Sequence, residues 1–251
     1  NERKFITMER RMKYMSWTQF DELRKSTKTV ILPSGAFEVY GPHMPLGSDT
    51  LVSEALCKMV AEKANAVVGP CVEAGISQNL YGFPGTIYVR PESLKAVYRD
   101  IVESMIKWGF TEIFVLNLHL HNTFCLNELL ADIEDEHPGV KCGVVGFWQF
   151  IWKYTDVFET PNPHGHASEA GTSVLSYLYP EYVDMSKAPN SPALWKNEWP
   201  SFSIYRHYDK YSVTGTMGDA TKGDPAKGKI VVDRAVDEFV DFIERYLRNH
   251  D

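Results

Sequence analysis

Short apolar runs and longer amphipathic stretches alternate along the middle of the chain, and their periods predict the elements. Thr29-Val30-Ile31-Leu32 is a brief β-prone run. From Asp49 to Ala64, Leu51, Ala55, Leu56, Met59 and Val60 recur at the spacing of one helix face, and Ala66-Val67-Val68 follows as a second short strand. After the glycine- and proline-rich stretch Tyr81-Gly82-Phe83-Pro84-Gly85, the segment Pro91 to Trp108 places Leu94, Val97, Tyr98, Ile101, Val102, Met105 and Trp108 on one side of a helix. Pro91 and Glu92 suit its first turn, and Gly109 suits the position just past its end. Glu112 to Asn117 is mostly apolar, as a central parallel strand covered on both faces should be. A helix from Asn122 to Glu136, a strand from Val140 to Val145 and a helical stretch from Thr172 to Leu178 continue the alternation. Strand-helix-strand order with short connections predicts a single three-layer α/β/α domain with a largely parallel central sheet.

Composition narrows the classes of function. The 251 residues, 44% of them hydrophobic, supply the core of one domain, and we read one domain over residues 1–251. A formal net charge of −7, with no basic cluster, argues against a nucleic-acid partner. No apolar run is long enough to span a bilayer, and Asn1-Glu2-Arg3-Lys4 lacks the apolar core of a signal peptide, so a cytoplasmic location and a small-molecule substrate are expected. Cys57, Cys71, Cys125 and Cys142 lie far apart and read as buried free thiols.

In open parallel sheets, functional groups gather in the loops at the carboxyl ends of the strands. The chemistry-bearing residues fall there. Glu38-Val39-Tyr40-Gly41-Pro42-His43-Met44-Pro45-Leu46-Gly47-Ser48-Asp49 follows the first strand, and its glycines and prolines fold the backbone so that Glu38 and Asp49 can converge on one ion. The competing reading is a turn in which Asp49 merely caps the next helix. Asn117-Leu118-His119-Leu120-His121-Asn122 follows the strongest strand, where at least one imidazole is expected as a ligand, oriented by its Asn neighbours. His164-Gly165-His166-Ala167-Ser168-Glu169 opens a helix and offers a proton carrier and a hard oxygen ligand. Together the three clusters have the composition of a hydrolytic metal centre. Trp148, Trp152, Tyr154, Trp195, Trp199 and Tyr205 lie in a less regular region and can wall a pocket; Trp148, just past a strand, is the best placed.

These residues carry a resemblance. Leu32 to Thr50 resembles the opening motif of the creatininase family of amidohydrolases, P-x-G-S-x-E-x-H-G-P-H-L-P-x-x-T-D. Phe83 to Leu94 is similar to the family's second block, and Asn117 to Asn122 sits where the family has N-G-H-G-G-N. His166 to Ser173 resembles H-A-G-E-x-E-T-S, and Thr214 to Asp219 with Lys227-Gly228 resembles T-G-V-x-G-D…K-G. The resemblance implies that Glu38, Asp49 and His119 hold a divalent ion, zinc or manganese, with Asp49 able to bridge to a second. It implies that Glu169 is a further ligand or general base, and that His166 handles protons beside the substrate. It also implies a homo-oligomer, commonly a hexamer.

The departures bear on the substrate. Tyr40 stands where the family has a metal-binding His, His121 where it has Gly or a ligating Glu, Gly171 where it has a second acid, and Ser168 where it has Gly. One ion is therefore expected, with the second left open, and Tyr40, His43, His121 and Trp148 are expected to contact substrate. The expected reaction is hydrolytic opening of a small polar cyclic carbonyl compound, a cyclic amide or related C–N bond, and not of creatinine. The alternatives are C–C ring opening of a diketo-inositol such as dehydro-scyllo-inosose, and a non-catalytic metabolite-binding relative.

Overall fold

A computed structural model of the chain describes residues 9–249, apart from positions 196, 200 and 203. Its centre is a sheet of β1 (Thr29–Ser34), β2 (Val67–Val68), β3 (Glu112–Asn117) and β4 (Lys141–Gly146) in the order β2-β1-β3-β4, every pairing parallel. All residues of β1 and β3 are buried, which is why both read as continuous apolar runs rather than as alternating ones. The register aligns Ser34, Asn117 and Gly146 side by side, so the loops that follow three strands leave the sheet at one edge.

Successive strand residues point to opposite faces and divide the core in two. Val30, Leu32, Ile113 and Val115 pack against α1 (Trp17–Leu23), α3 (Pro91–Lys107) and α4 (Asn122–Glu136) through Leu23, Tyr98, Val102, Leu126 and Ile133. Ile31, Phe114 and Leu116 pack against α2 (Ser48–Ala64), α6 (Glu169–Leu178) and α7 (Pro225–Phe242) through Leu56, Val60, Val174, Val231 and Phe239. Each such side chain contributes about 1.5–3 kcal/mol on burial, so burial on both faces of the sheet outweighs local propensity in fixing the layers. A short α5 (Phe147–Phe150) leaves β4, and β5 (Asn190–Ser191) pairs antiparallel with β6 (Gly218–Asp219) in the less regular region.

The three-layer α/β/α arrangement matches the expectation from sequence. Two details differ. The helix expected from Thr172 begins at Glu169, which draws that carboxylate into its first turn. The periodicity reading did not reach α7, whose Asp224 caps Ala226 N and whose Pro225 opens the first turn. α7 lies so close to α6 that a Cβ on Gly228 would fall 2.0 Å from the Ser173 carbonyl oxygen. No helix among the described residues is long and apolar enough to cross a membrane, and all four cysteines are free.

Candidate active site

The strand-end loops build the site. After β1 the chain turns at Gly41 with φ +72, a left-handed conformation that glycine alone adopts without strain, and Glu38 N donates to Leu46 O at 2.9 Å to close the loop. Asp49 lies inside the first turn of α2, whose N-cap is Gly47, so the capping alternative falls away and its side chain is free for the cavity. Asn117, at the end of β3, donates to His119 O at 2.6 Å and accepts from His119 N at 3.1 Å. Asn122 ties the same loop to its neighbours, donating to Gly35 O at 2.8 Å and accepting from Ile76 N at 3.0 Å. The two asparagines are thus the orienting groups expected around the histidines.

Glu38 from the loop after β1, Asp49 from the first turn of α2 and His119 from the loop after β3 converge. All are buried, and each offers a ligand atom within 4.8 Å of the other two. His119 Nδ1 lies 3.1 Å from Glu38 Oε2 and 3.6 Å from Asp49 Oδ2. Its other nitrogen, Nε2, lies 3.0 Å from the Ile76 carbonyl oxygen, which can only accept, so Nε2 carries the hydrogen and Nδ1 is the atom available to a cation. Ser77 Oγ donates to Glu38 Oε2 at 2.6 Å, and Trp148 Nε1 donates to Asp49 Oδ1 at 3.2 Å, fixing both carboxylates. Burial opposes charge on His119, yet the two carboxylates beside it hold its pKa well above 6.5. Two buried carboxylates thus draw positive charge to one point, as a cation site should.

His166 lies beside this group on the same cavity. Its Nε2 donates to the Val39 carbonyl oxygen at 2.7 Å, leaving the Nδ1 lone pair 4.0 Å from Glu38 Oε1. The ring lies against Tyr40 and Tyr208, with centroids 4.8 and 5.1 Å away. The next residue, Ala167, is held at φ +52, a conformation costing a non-glycine residue roughly 1–2 kcal/mol, so the surrounding fold imposes the direction of this loop. Tyr40 is buried; its burial and the Asp49 and Glu38 charges raise its pKa well above 10, so it is a neutral phenol. His121, lowered from 6.5 by burial and by His119, is a neutral imidazole. Tyr40, His121, Trp148 and His166 line one cavity of about 300 Å³ with the three acidic and imidazole groups.

Two residues expected at the site are placed elsewhere. Glu169 does not line the cavity: its buried carboxylate receives Lys227 Nζ at 2.7 Å and the backbone N–H groups of Glu159 and Thr160 at 3.0 and 2.9 Å. The segment before α6 doubles back over the helix start, and these donors claim the oxygens a metal or proton would need. His43 is not a substrate contact either: Nε2 pairs with Thr172 Oγ1 at 2.9 Å, and burial lowers its pKa to about 4. It pins the first loop to α6 as a neutral ring.

The Glu169 pairing predicts a pH signature. Burial opposes its charge, but Lys227 and the N–H donors prevail and hold its pKa below 4.5. A depressed folded pKa contributes stability that is present above the unfolded value and lost as pH falls through the folded one. Glu169→Gln should therefore cost about 3 kcal/mol at neutral pH, the low end for a broken buried pair because Lys227 is part-exposed. The gap should close in acid below about pH 4, as denaturant melts of both proteins across that range will show.

Sequence reasoning missed Ser77, the Ile76 carbonyl, Asn79 and Tyr208, which come from segments without a metal-ligand signature. Trp152 also lines the cavity, whereas Tyr154 packs away from it and donates to Glu238 at 2.7 Å. Trp195 meets Tyr211 edge-on, and Trp199 and Tyr205 are exposed; none of them reaches the cavity.

The family model for creatininase, creatinine amidohydrolase, matches residues 13–243. The creatinine amidohydrolase of Pseudomonas putida is 27% identical over 248 residues, covering 91% of this chain and 94% of that protein. The mycofactocin precursor peptide peptidase of Mycolicibacterium smegmatis is 28% identical over 237 residues, covering 90% and 88%. The 3-dehydro-scyllo-inosose hydrolase of Thermotoga maritima is 28% identical over 268 residues, covering 94% and 81%. Among solved structures, a manganese form of creatininase superposes with a TM-score of 0.83 at 22% identity, covering 96% of this chain and all of that one. A zinc-zinc form of a creatininase mutant superposes with a TM-score of 0.82 at 22% identity, covering 95% of this chain and 98% of the other. At that identity the superpositions establish the fold.

Proposed function

The chain belongs to the creatininase family, and we propose that it is a divalent-metal-dependent hydrolase that opens a small, polar, cyclic carbonyl compound other than creatinine. One observation carries the reading: three buried ligand atoms, from Glu38, Asp49 and His119, face one another in a cavity of about 300 Å³, the lower end of the size range of small-molecule sites.

The donor set fits a metal. Two carboxylates and an imidazole whose Nδ1 faces both of them, ready to exchange its proton for a cation, suit zinc or manganese, the metals of the superposed creatininases. Glu38, Asp49 and His119 would hold the ion, which when bound acidifies water and polarises a carbonyl. The protein's own groups do the rest. Trp148 and Ser77 hold the carboxylates in place, and the Tyr40 phenol can donate a hydrogen bond to an oxygen of the substrate. His166 Nδ1 can take the proton of the attacking water and return it to the leaving atom. A second ion lacks support, because Tyr40 replaces a histidine ligand and its neutral phenol is a poor one.

A second reading has its own observation. A Cβ on Gly171 would lie 3.4 Å from Tyr40 Cε1, so positions 40 and 171 share one space, and the family's acid at 171 gives way to a phenol at 40. That exchange removes a carboxyl group beside the cavity and adds a donor suited to a hydroxylated ring, which favours C–C opening of a diketo-inositol, whose leaving carbon departs as an enolate.

A screen of the metal-reconstituted protein tests both. Creatinine, other cyclic amides, diketo-inositols and short peptides would be compared, with Tyr40→Phe alongside. The expected result is turnover of a cyclic carbonyl compound, little on creatinine, and roughly a tenfold loss in Tyr40→Phe, as for one removed hydrogen bond. Efficient creatinine turnover, or cleavage of peptides alone, would overturn the reading, and activity confined to diketo-inositols would select the second.

A further inference from the structure

Three polar atoms in the cavity wall are buried and have no hydrogen-bond partner among the described residues: the Tyr208 hydroxyl, Asn79 Oδ1 and His164 Nδ1. An unpaired buried polar group costs roughly 1–3 kcal/mol, so each needs a reason. Tyr208 is the most telling. Its ring is 8% exposed and packs with Val39 and Leu80, a setting that a phenylalanine would fill equally well. The hydroxyl is therefore surplus to packing. Burial and the Glu38 charge raise its pKa, so it stays a donor. Asn79 enters the cavity from the adjoining turn, Gln78–Leu80, which packs on Tyr208–Lys210. A phenol that donates and an amide oxygen that accepts, on two turns that pack together and line one cavity, match a hydroxyl group, which does both.

We propose that Tyr208 and Asn79 form a subsite for a hydroxyl group of the substrate, so that the ring opened here is a hydroxylated carbonyl compound rather than a bare lactam. The inference rests on the cyclic-carbonyl reading and narrows it. The ring contact of Tyr208 with His166 puts this residue on the proton-handling side of the cavity. A substrate hydroxyl would pair with both groups, whereas a ring lacking it displaces their solvent and leaves both without a partner, which is how a polar pocket rejects an analogue.

Titration calorimetry on the full-length, metal-loaded protein tests this with scyllo-inosose, a hydroxylated ring ketone, and with cyclohexanone, which has the carbonyl alone. The unmodified protein should bind scyllo-inosose and prefer it. Tyr208→Phe should weaken that binding at least tenfold, as should Asn79→Ala, while Tyr208→Phe without ligand melts at or above the wild-type temperature. Unchanged affinity in Tyr208→Phe overturns the proposal. If the unmodified protein binds neither ketone, the cyclic-carbonyl reading fails, and the melt decides the subsite by itself. A lower melting temperature for Tyr208→Phe would then show that the hydroxyl is already paired within the fold and overturn it; an unchanged or higher one supports a hydroxyl kept for a ligand.

Discussion

Asp49→Ala is expected to leave the purified protein without a stoichiometric divalent ion and to lower turnover by roughly a thousandfold or more, since a hydrolysis built on activated water loses its nucleophile with the ion. The geometry says why this carboxylate should matter so much. Asp49 Oδ2 faces His119 Nδ1 at 3.6 Å while Trp148 occupies Oδ1, so the side chain is aimed and cannot be replaced by a neighbour. Without it, Glu38 and His119 are left at 3.1 Å as a closed ion pair, and any cation must then displace the proton on His119 for one carboxylate in return. Trp148→Phe removes the indole N–H that orients Asp49 while keeping an aromatic ring on the cavity wall, and should cost metal affinity or activity about 10- to 100-fold. Elemental analysis and turnover measured side by side separate the two effects. Chelation should also lower the melting temperature of the unmodified protein and leave that of Asp49→Ala unchanged, because only a bound ion stabilises by mass action. Full metal occupancy in Asp49→Ala would sink the assignment of the site.

The fold was legible because its signal is redundant. β3 reads as a strand from its apolar run, from the breaks on either side and from the helix periods that flank it, and its observed bounds, Glu112–Asn117, are those the pattern predicts. Helix starts were less certain. The stretch before α6 is small and polar and carries no side-chain cap, so nothing in the local pattern marks that the helix begins at Glu169 and not at Thr172. The pairing of Glu169 with Lys227 explains why motif resemblance misplaced this acid. An acid in a matching block has the right chemistry for a ligand, but 58 residues separate it from the lysine that claims it, and no local pattern reveals that distance closed.

The three convergent groups, Glu38, Asp49 and His119, were readable from sequence because each sits directly after a strand or at the start of the following helix, where topology alone brings loops together. Tyr208 was not. It belongs to a short turn in an irregular region, and its neighbours Trp195, Trp199 and Tyr205 look like equally good pocket walls by residue type. What distinguishes Tyr208 is a hydroxyl without a partner, a property of three-dimensional bookkeeping that composition cannot show.

His166→Asn should reduce turnover by about a hundredfold or more while leaving the metal in place, the usual scale for losing a positioned general base. Three observations separate this role from that of a ligand. Its Nδ1 is not among the atoms that lie mutually within 4.8 Å. Its Nε2 is anchored on Val39 O at 2.7 Å, which fixes the hydrogen there and leaves Nδ1 unprotonated in the neutral ring. The Nδ1 atom stops 4.0 Å from Glu38 Oε1, too far for a direct hydrogen bond, so its lone pair is not committed to that carboxylate. Asparagine preserves a polar side chain of similar reach but has no basic nitrogen, so the loss should fall on kcat, with KM changed only a few-fold, because binding through Tyr40 and the cavity wall is retained. Stopped-time turnover with metal analysis on the same preparation gives the answer. Unchanged kcat would remove His166 from the chemistry, and a preparation that has lost its metal would make the imidazole a ligand, with the proton then left to His121, the neutral ring that shares the cavity.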